Sequence, residues 1–295
     1  MTSKNAHSWP PRIACSPAQF PCSMNYPNAN DRPFFLVTAP PGCGKSALVR
    51  GLAAARPDWE TLKAAERREH NSLLREARPG VFFLCRLLQV TRLEKTRALR
   101  SVRAVLTASS TRFVASALSD MAHRDVSLVA SIKASFQSNN AEGVHRTRSV
   151  SEDDLTKTIV RLMSYKLIAK RSGPPVLCEQ DSFWHKLIWL NDPKVFSALP
   201  RPTAAVVLTS KDVKAVLEKR NARGAAYDRR RLGPLTEEQR MGLLTSEHRL
   251  WADFAATCAQ LGIPVLHLEA YGDLGDYVDR AATFFTGIIA QPETR

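Results

Sequence analysis

The feature that most constrains this chain is an apolar run that ends directly in a glycine-bearing loop. Residues Phe34–Ala39 are almost continuously apolar, and the loop that follows carries Gly42, Gly44 and Lys45 before a helical pattern begins. An apolar run of this kind is typical of a strand that is buried on both faces. The order strand, glycine loop, helix is the context in which backbone N–H groups surround a phosphate. The sequence therefore predicts a phosphate-binding loop at residues 34–46.

The residues of this loop have separate chemical roles in the prediction. The glycines allow the backbone to turn its N–H groups toward the β-phosphate of a nucleotide. Lys45 would reach the β- and γ-phosphate oxygens, and the hydroxyl of Ser46 would ligate Mg²⁺. Ala39 stands where the P-loop (Walker A) pattern has its first glycine, so the motif is A-x-x-x-x-G-K-S. The motif predicts ATP and Mg²⁺ as cofactors. The predicted nucleotide-binding residues are Pro41, Gly42, Cys43, Gly44, Lys45, Ser46 and Ala47.

Three further apolar runs predict strands of the same sheet. They are Val176–Cys178, Ala204–Leu208 and Val265–Leu268, and each precedes a helical pattern. Because strands alternate with helices, we expect βαβ units and an α/β fold with a doubly wound parallel sheet. Thr236 and Gln239 form a predicted capping box at the start of a long helix.

The segment from 56 to 150 interrupts this alternation. Its pattern is mostly helical, with one strand candidate at Val81–Cys85, and it predicts a helical insert or an acceptor-binding region. Residues 1–31 are rich in Ser, Pro and Asn and predict a disordered leader, with Met24 as an alternative start. This leader lacks the apolar stretch of a signal peptide. Residues 32–291 are expected to form the folded domain.

Charge and cysteine content bear on the partners and the compartment. The 295 residues carry a net charge of +14, which favours anionic partners such as nucleotides or nucleic acid. The six cysteines form no CxxC pair and no cluster with histidines at metal-ligand spacing. No apolar run approaches the roughly 18–20 residues of a membrane span. We therefore expect a cytoplasmic protein with reduced thiols and no membrane partner.

A carboxylate follows the second of the four apolar runs. Glu179 lies at the carboxyl end of Val176–Cys178, where the ligands of open parallel sheets bind. At that place it would hold Mg²⁺, like Ser46, or accept a proton from the hydroxyl of an acceptor. Asp181 is the alternative acid, although it also suits the N-cap of the helix that follows.

A basic segment follows the third apolar run. Between Lys211 and Arg231 there are eight basic residues and three acids. Cations near the end of a helix interact favourably with its dipole, which accounts for one or two of them. The larger number, beside Gly224 and Gly233, indicates a lid that closes over phosphates. We assign this lid to residues 219–235.

These motifs in this order resemble the nucleoside and nucleotide kinases of the P-loop superfamily, especially thymidylate-kinase-like and deoxynucleoside-kinase-like proteins. The resemblance covers residues 34–50 and 174–290, through APPGCGKS, VLCEQDSF and AAVVLTSKDVKAVLEKRNARG. It implies the three-layer fold of P-loop kinases, a strand-end acid that acts at the acceptor hydroxyl, and lid arginines that clamp the transferring phosphoryl group. Gln180 departs from the arginine that usually follows the acid in this family. The catalytic residues implied are Lys45, Glu179, Arg220, Arg223 and Arg229.

The leading hypothesis is an ATP-dependent kinase that binds a nucleotide and a small-molecule acceptor, which is a nucleoside, a nucleotide or another small molecule. One alternative is an AAA-like regulatory NTPase, although such proteins usually carry adjacent acids where this chain has Glu179 and Gln180. Another is a polynucleotide kinase or nucleic-acid-associated ATPase, suggested by the seven basic residues between Arg86 and Arg112. A solvated helix face is the favoured account of that cluster.

Overall fold

The computed structural model describes residues 32–77, 79–80, 82–83, 130, 134, 152–179, 201–224 and 232–290. Strands and helices alternate along most of these ranges. In chain order the elements are β1 (Phe34–Thr38), α1 (Lys45–Ala55), β2 (Glu60–Thr61), α2 (Leu62–Ala77), α3 (Glu152–Lys170), β3 (Val176–Glu179), β4 (Ala204–Thr209), α4 (Val213–Arg223), α5 (Glu237–Gln260), β5 (Val265–Glu269) and α6 (Leu274–Ala290). None of the helices in this part of the chain has the length and apolarity needed to cross a membrane.

The five strands form one parallel sheet in the order β2-β3-β1-β4-β5. β1 lies at the centre, where Val37 is paired with Glu179 of β3 and with Val206 of β4. Every residue of β1 is buried, as expected for a strand with helices on both sides. The predicted α/β fold with a parallel sheet is confirmed. The four predicted strands are all present, each within one residue of the predicted end.

The two faces of the sheet are buried in separate apolar clusters. Because side chains alternate along a strand, Phe34 and Leu36 of β1 belong to one cluster, and Phe35 and Val37 to the other. Residues of α2, α3 and α5 complete the first cluster, whereas residues of α1 and α6 complete the second. In the second cluster Phe35 stacks on Phe285 of α6, with the ring centroids 4.3 Å apart.

The segment that follows α1 departs from the prediction in two places. β2 is an edge strand of two residues, paired with β3, that no apolar run announces because both of its residues are polar and half-buried. The strand candidate Val81–Cys85 is wrong at residues 82 and 83, which are helical. A short apolar run does not distinguish a strand from a helix by itself. The remaining residues of that candidate lie outside the described ranges, as does the predicted leader 1–31.

Buried charges join the amino-terminal ends of three strands. The guanidinium of Arg32 donates to the carbonyl of Pro174 and to the carboxylate of Glu60, both at 2.6 Å. Arg68 of α2 pairs with Glu60 at 3.0 Å and with Glu69 at 2.7 Å. This network holds the polar strand β2 in the sheet. It lies at the edge opposite the glycine-bearing loop, because that loop follows the carboxyl end of β1.

Loss of the cap of α5 should measurably destabilise the fold. The hydroxyl of Thr236 accepts from the N–H of Gln239, and the side chain of Gln239 accepts from the N–H of Thr236, so the predicted capping box is confirmed. We expect Thr236→Ala to lower the free energy of unfolding by about 1 kcal/mol in urea titrations. Thr245→Ala, at an exposed position inside the same helix, should change it by less than about 0.5 kcal/mol. Equal effects of the two substitutions would contradict a role for the cap.

Candidate functional site

The loop between β1 and α1, residues 39–44, is called the glycine loop below. Gly42 and Gly44 have φ angles of 95° and 86°, a region that side-chain-bearing residues rarely adopt. Gly44 is also the N-cap of α1, and no side chain caps that helix end. The first N–H groups of α1 therefore point out of a glycine turn, which is the arrangement that binds anions. Ala39 is buried and has no positive φ, so alanine replaces the first glycine of the motif without backbone strain.

Predicted site residues from two separate parts of the sequence meet beside this loop. The hydroxyl of Ser46 donates to Oε1 of Glu179, and the ammonium of Lys45 lies 3.8 Å from the same oxygen. The parallel pairing of β1 with β3 brings them together, because Glu179 ends β3 beside the last residues of β1. The side chains of Lys45 and Glu179 are 24% and 39% exposed, so both are accessible to a ligand.

The predicted lid arginines occupy different environments. Arg220 is in the last turn of α4, fully buried, and its guanidinium pairs with Glu247 of α5 at 3.0 Å. A buried guanidinium in an ion pair is a fixed support, which differs from the mobile clamp that the sequence predicts. Arg223 is exposed on the same helix, which ends at Gly224 in the left-handed conformation. Arg229 lies outside the described residues.

The stem of Arg220 also contacts the glycine loop. A Cβ atom placed on Gly42 would lie 2.9 Å from Cγ and 3.2 Å from Cδ of Arg220. Any side chain at position 42 would therefore displace this stem, in addition to the strain of its φ angle. Glycine is required at this position for conformation and for space.

The structure adds three residues of α5 that the sequence analysis left without a site role. Glu247, His248 and Trp251 are all buried beneath the glycine loop and the neighbouring strand ends. The indole N–H of Trp251 donates to the hydroxyl of Thr38 at 2.9 Å, at the last residue of β1. Glu247 and His248 lie on the buried face of α5, among its apolar residues. A carboxylate and an imidazole on an otherwise apolar helix face need buried partners, and this sequence signal could have identified both residues.

The imidazole of His248 links the loop to the end of β4. Its Nδ1 accepts from the backbone N–H of Ser210 at 3.0 Å, and its Nε2 lies 3.9 Å from Sγ of Cys43. Desolvation, followed by the charge of Arg220, lowers the pKa of His248, so the ring is neutral near pH 7. Because Nδ1 is an acceptor, the proton is on Nε2 and points toward Cys43. Burial raises the pKa of Cys43 to about 12, so this thiol is protonated.

Tyr271 approaches the glycine loop from the end of β5. Its hydroxyl donates to the carbonyl of Gly42 at 3.3 Å, and the ammonium of Lys219 lies 3.7 Å from the centre of its ring. Among the described residues Tyr271 is the one non-glycine with a positive φ, at 74°. Such a conformation costs about 1–3 kcal/mol and is found mainly at functional sites. No sequence motif marks this residue.

Comparison with models of known protein families and with curated proteins gives no match. Lys45, Ser46 and Glu179, together with the residues that support the glycine loop, form the candidate site.

Substitution of His248 should flatten the dependence of stability on pH. Since folding lowers its pKa, the unfolded chain binds more protons below the ordinary value of about 6.5. The free energy of unfolding therefore decreases as the pH falls from about 7 to about 5. His248→Asn retains an acceptor for the N–H of Ser210 and removes the titrating ring. We expect a smaller slope in urea titrations of this variant between these pH values.

His267→Gln provides the control, because His267 is exposed on β5. This variant should keep the slope of the wild-type protein. A slope that is the same in His248→Asn and in the wild type would show that His248 does not carry this pH dependence.

Proposed function

We propose that this chain is an ATP-dependent phosphotransferase with the three-layer, doubly wound fold of P-loop kinases. The observation that supports the proposal most strongly is the meeting of Lys45, Ser46 and Glu179 at the carboxyl ends of β1 and β3. Ligands of parallel α/β sheets bind at this edge. The glycine loop contributes N–H groups at a helix N-terminus, and Lys45 contributes a positive charge at the same place.

The side chains at the site also suit a magnesium ion. Ser46 and Glu179 offer a hydroxyl and a carboxylate oxygen, which are the hard donors that Mg²⁺ prefers. The described residues contain no group of three or more His, Cys, Asp and Glu that would form a cage made by protein alone. Such a partial donor set is what a metal shared with nucleotide phosphates requires. When bound there, Mg²⁺ would neutralise part of the phosphate charge.

Glu179 is also the best-placed proton acceptor. Ser46 and Lys45 both contact Oε1 of its carboxylate, and we assign Oε2 to the acceptor hydroxyl. In the transfer, the acceptor oxygen bonds to the γ-phosphorus and the bond from that phosphorus to the β–γ bridging oxygen breaks. The hydroxyl proton goes to Glu179, and ADP leaves with the bridging oxygen. Arg223 and Arg229 are proposed to stabilise the charge of the transferring group.

The proposal is tested by ADP release in the presence of Mg·ATP and a panel of nucleosides, nucleotides, sugars and oligonucleotides. We expect at least one acceptor to stimulate ADP release, and we expect Lys45→Ala to abolish it because the cation at the β- and γ-phosphates is lost. Lys214→Ala removes an exposed lysine of α4 and should keep wild-type activity. ADP release that no acceptor changes would favour an NTPase. Stimulation by oligonucleotides alone would favour the polynucleotide kinase.

Glu179→Gln separates catalysis from nucleotide binding. The amide keeps the size of the side chain but cannot accept the proton, so kcat should fall by about 10²–10⁴-fold. The Kd for ATP without Mg²⁺ should stay within about threefold of the wild-type value, because the glycine loop and Lys45 are unchanged. The two quantities are measured by steady-state kinetics and by calorimetry. An unchanged kcat would exclude Glu179 as the base.

A further inference from the structure

One residue of the glycine loop, Gly42, is contacted from two opposite directions. The stem of Arg220 occupies the space next to its Cα, within 2.9 Å of where a Cβ would lie. The hydroxyl of Tyr271 donates to its carbonyl at 3.3 Å. The two contacts come from the end of α4 and from the turn after β5, which are separate parts of the fold.

Each of these side chains is itself held in place. The guanidinium of Arg220 pairs with Glu247, and both side chains are almost completely buried. The turn that carries Tyr271 is closed by the phenol of Tyr277, which donates to the carbonyl of Glu269 and accepts from the N–H of Gly272. Arg220 therefore cannot move away from Gly42 without breaking a buried ion pair, and the backbone that carries Tyr271 is fixed by the two hydrogen bonds of Tyr277.

From this geometry we propose that Arg220 and Tyr271 are positioning residues that clamp Gly42 and hold the glycine loop in its phosphate-binding conformation before the nucleotide arrives. The inference rests on the proposed function and assigns Arg220 a role different from that of a lid residue. A loop that is already ordered binds phosphate without the entropy cost of closing around it. The same role accounts for the left-handed backbone of Tyr271, because that conformation directs the turn after β5 toward the loop.

The first test measures hydrogen–deuterium exchange in the nucleotide-free protein. Tyr271→Phe removes the hydroxyl and keeps the ring under Lys219, so the amides of residues 42–46 should exchange about fivefold faster, as expected from the loss of one hydrogen bond. Tyr165→Phe alters a buried tyrosine in the cluster on the opposite face of the sheet and should leave these amides unchanged. Equal exchange of the amides of residues 42–46 in Tyr271→Phe and the wild type would overturn the role of Tyr271.

The second test compares two double variants that differ only in the stem at position 220. Both carry Glu247→Leu, so that no buried carboxylate is left without its partner. With Arg220→Met the stem remains, and the Kd for tripolyphosphate should rise less than about threefold. With Arg220→Ala the stem is lost as well, and the same Kd should rise about tenfold. Equal losses in the two variants would show that the guanidinium itself is required, and the clamp by the stem would be wrong.

The two measurements also separate this inference from the proposed function. If the wild-type protein binds neither Mg·ATP nor tripolyphosphate, the phosphate site is rejected, and with it any purpose of the clamp in phosphate binding. The exchange rates of the amides of residues 42–46 would still decide whether Tyr271 holds the loop. If the wild-type protein binds both ligands and the variants do not differ from it, the proposed function stands and the clamp is rejected.

Discussion

The parallel pairing of β1 with β3 is the interaction on which the site depends. Its register aligns Val37 with Glu179, so the carboxylate emerges where the chain leaves β1 for the glycine loop. Ser46 and Glu179 are 133 positions apart in the sequence and touch only because of this register. A slip by one residue would exchange the faces of Leu177 and Cys178, which belong to different apolar clusters. Burial of the strands therefore determines the geometry of the site.

Buried polar side chains of α5 connect the sheet to the residues that support the glycine loop. Trp251 reaches the end of β1, His248 reaches the end of β4, and Glu247 reaches Arg220 on α4. Each neutral hydrogen bond contributes about 1 kcal/mol, whereas a buried ion pair adds little net stability because of its desolvation cost. The pair of Arg220 and Glu247 is better explained by the orientation that it gives to the stem beneath Gly42. Substitutions in α5 would then act on the loop without touching a ligand.

The parts of the fold that sequence predicts are those encoded locally. Continuous apolar runs identified β1, β3, β4 and β5, and the spacing of Thr236 and Gln239 identified the start of α5. The position of Glu179 on the same edge of the sheet as the glycine loop followed from one rule, that ligands of parallel sheets bind at the carboxyl ends of the strands. β2 was not predicted, because its two residues are polar and form no apolar run. The contacts of Tyr271 and Glu247 were not predicted, because each is made with a partner from a distant element and sequence periodicity does not indicate such partners.

Strained backbone and buried polar side chains, which are uncommon in folded proteins, are concentrated around Gly42. A tyrosine with a positive φ, a fully buried ion pair and a buried imidazole all lie within contact distance of the glycine loop or of the residues that support it. A second cluster of buried charges in the described part of the chain, around Arg32 at the opposite edge of the sheet, includes no residue with a positive φ. Ion pairs at that edge join Arg32, next to β1, to Glu60 of β2 and Glu69 of α2, which is a sufficient structural reason for them. Connecting the chain does not explain the strained backbone of Tyr271, because a glycine would form the same turn without strain. A glycine at position 271 would lack the hydroxyl that donates to the carbonyl of Gly42. The strained tyrosine therefore favours a functional role for the conformation of the glycine loop, beyond the connection of β1 to α1.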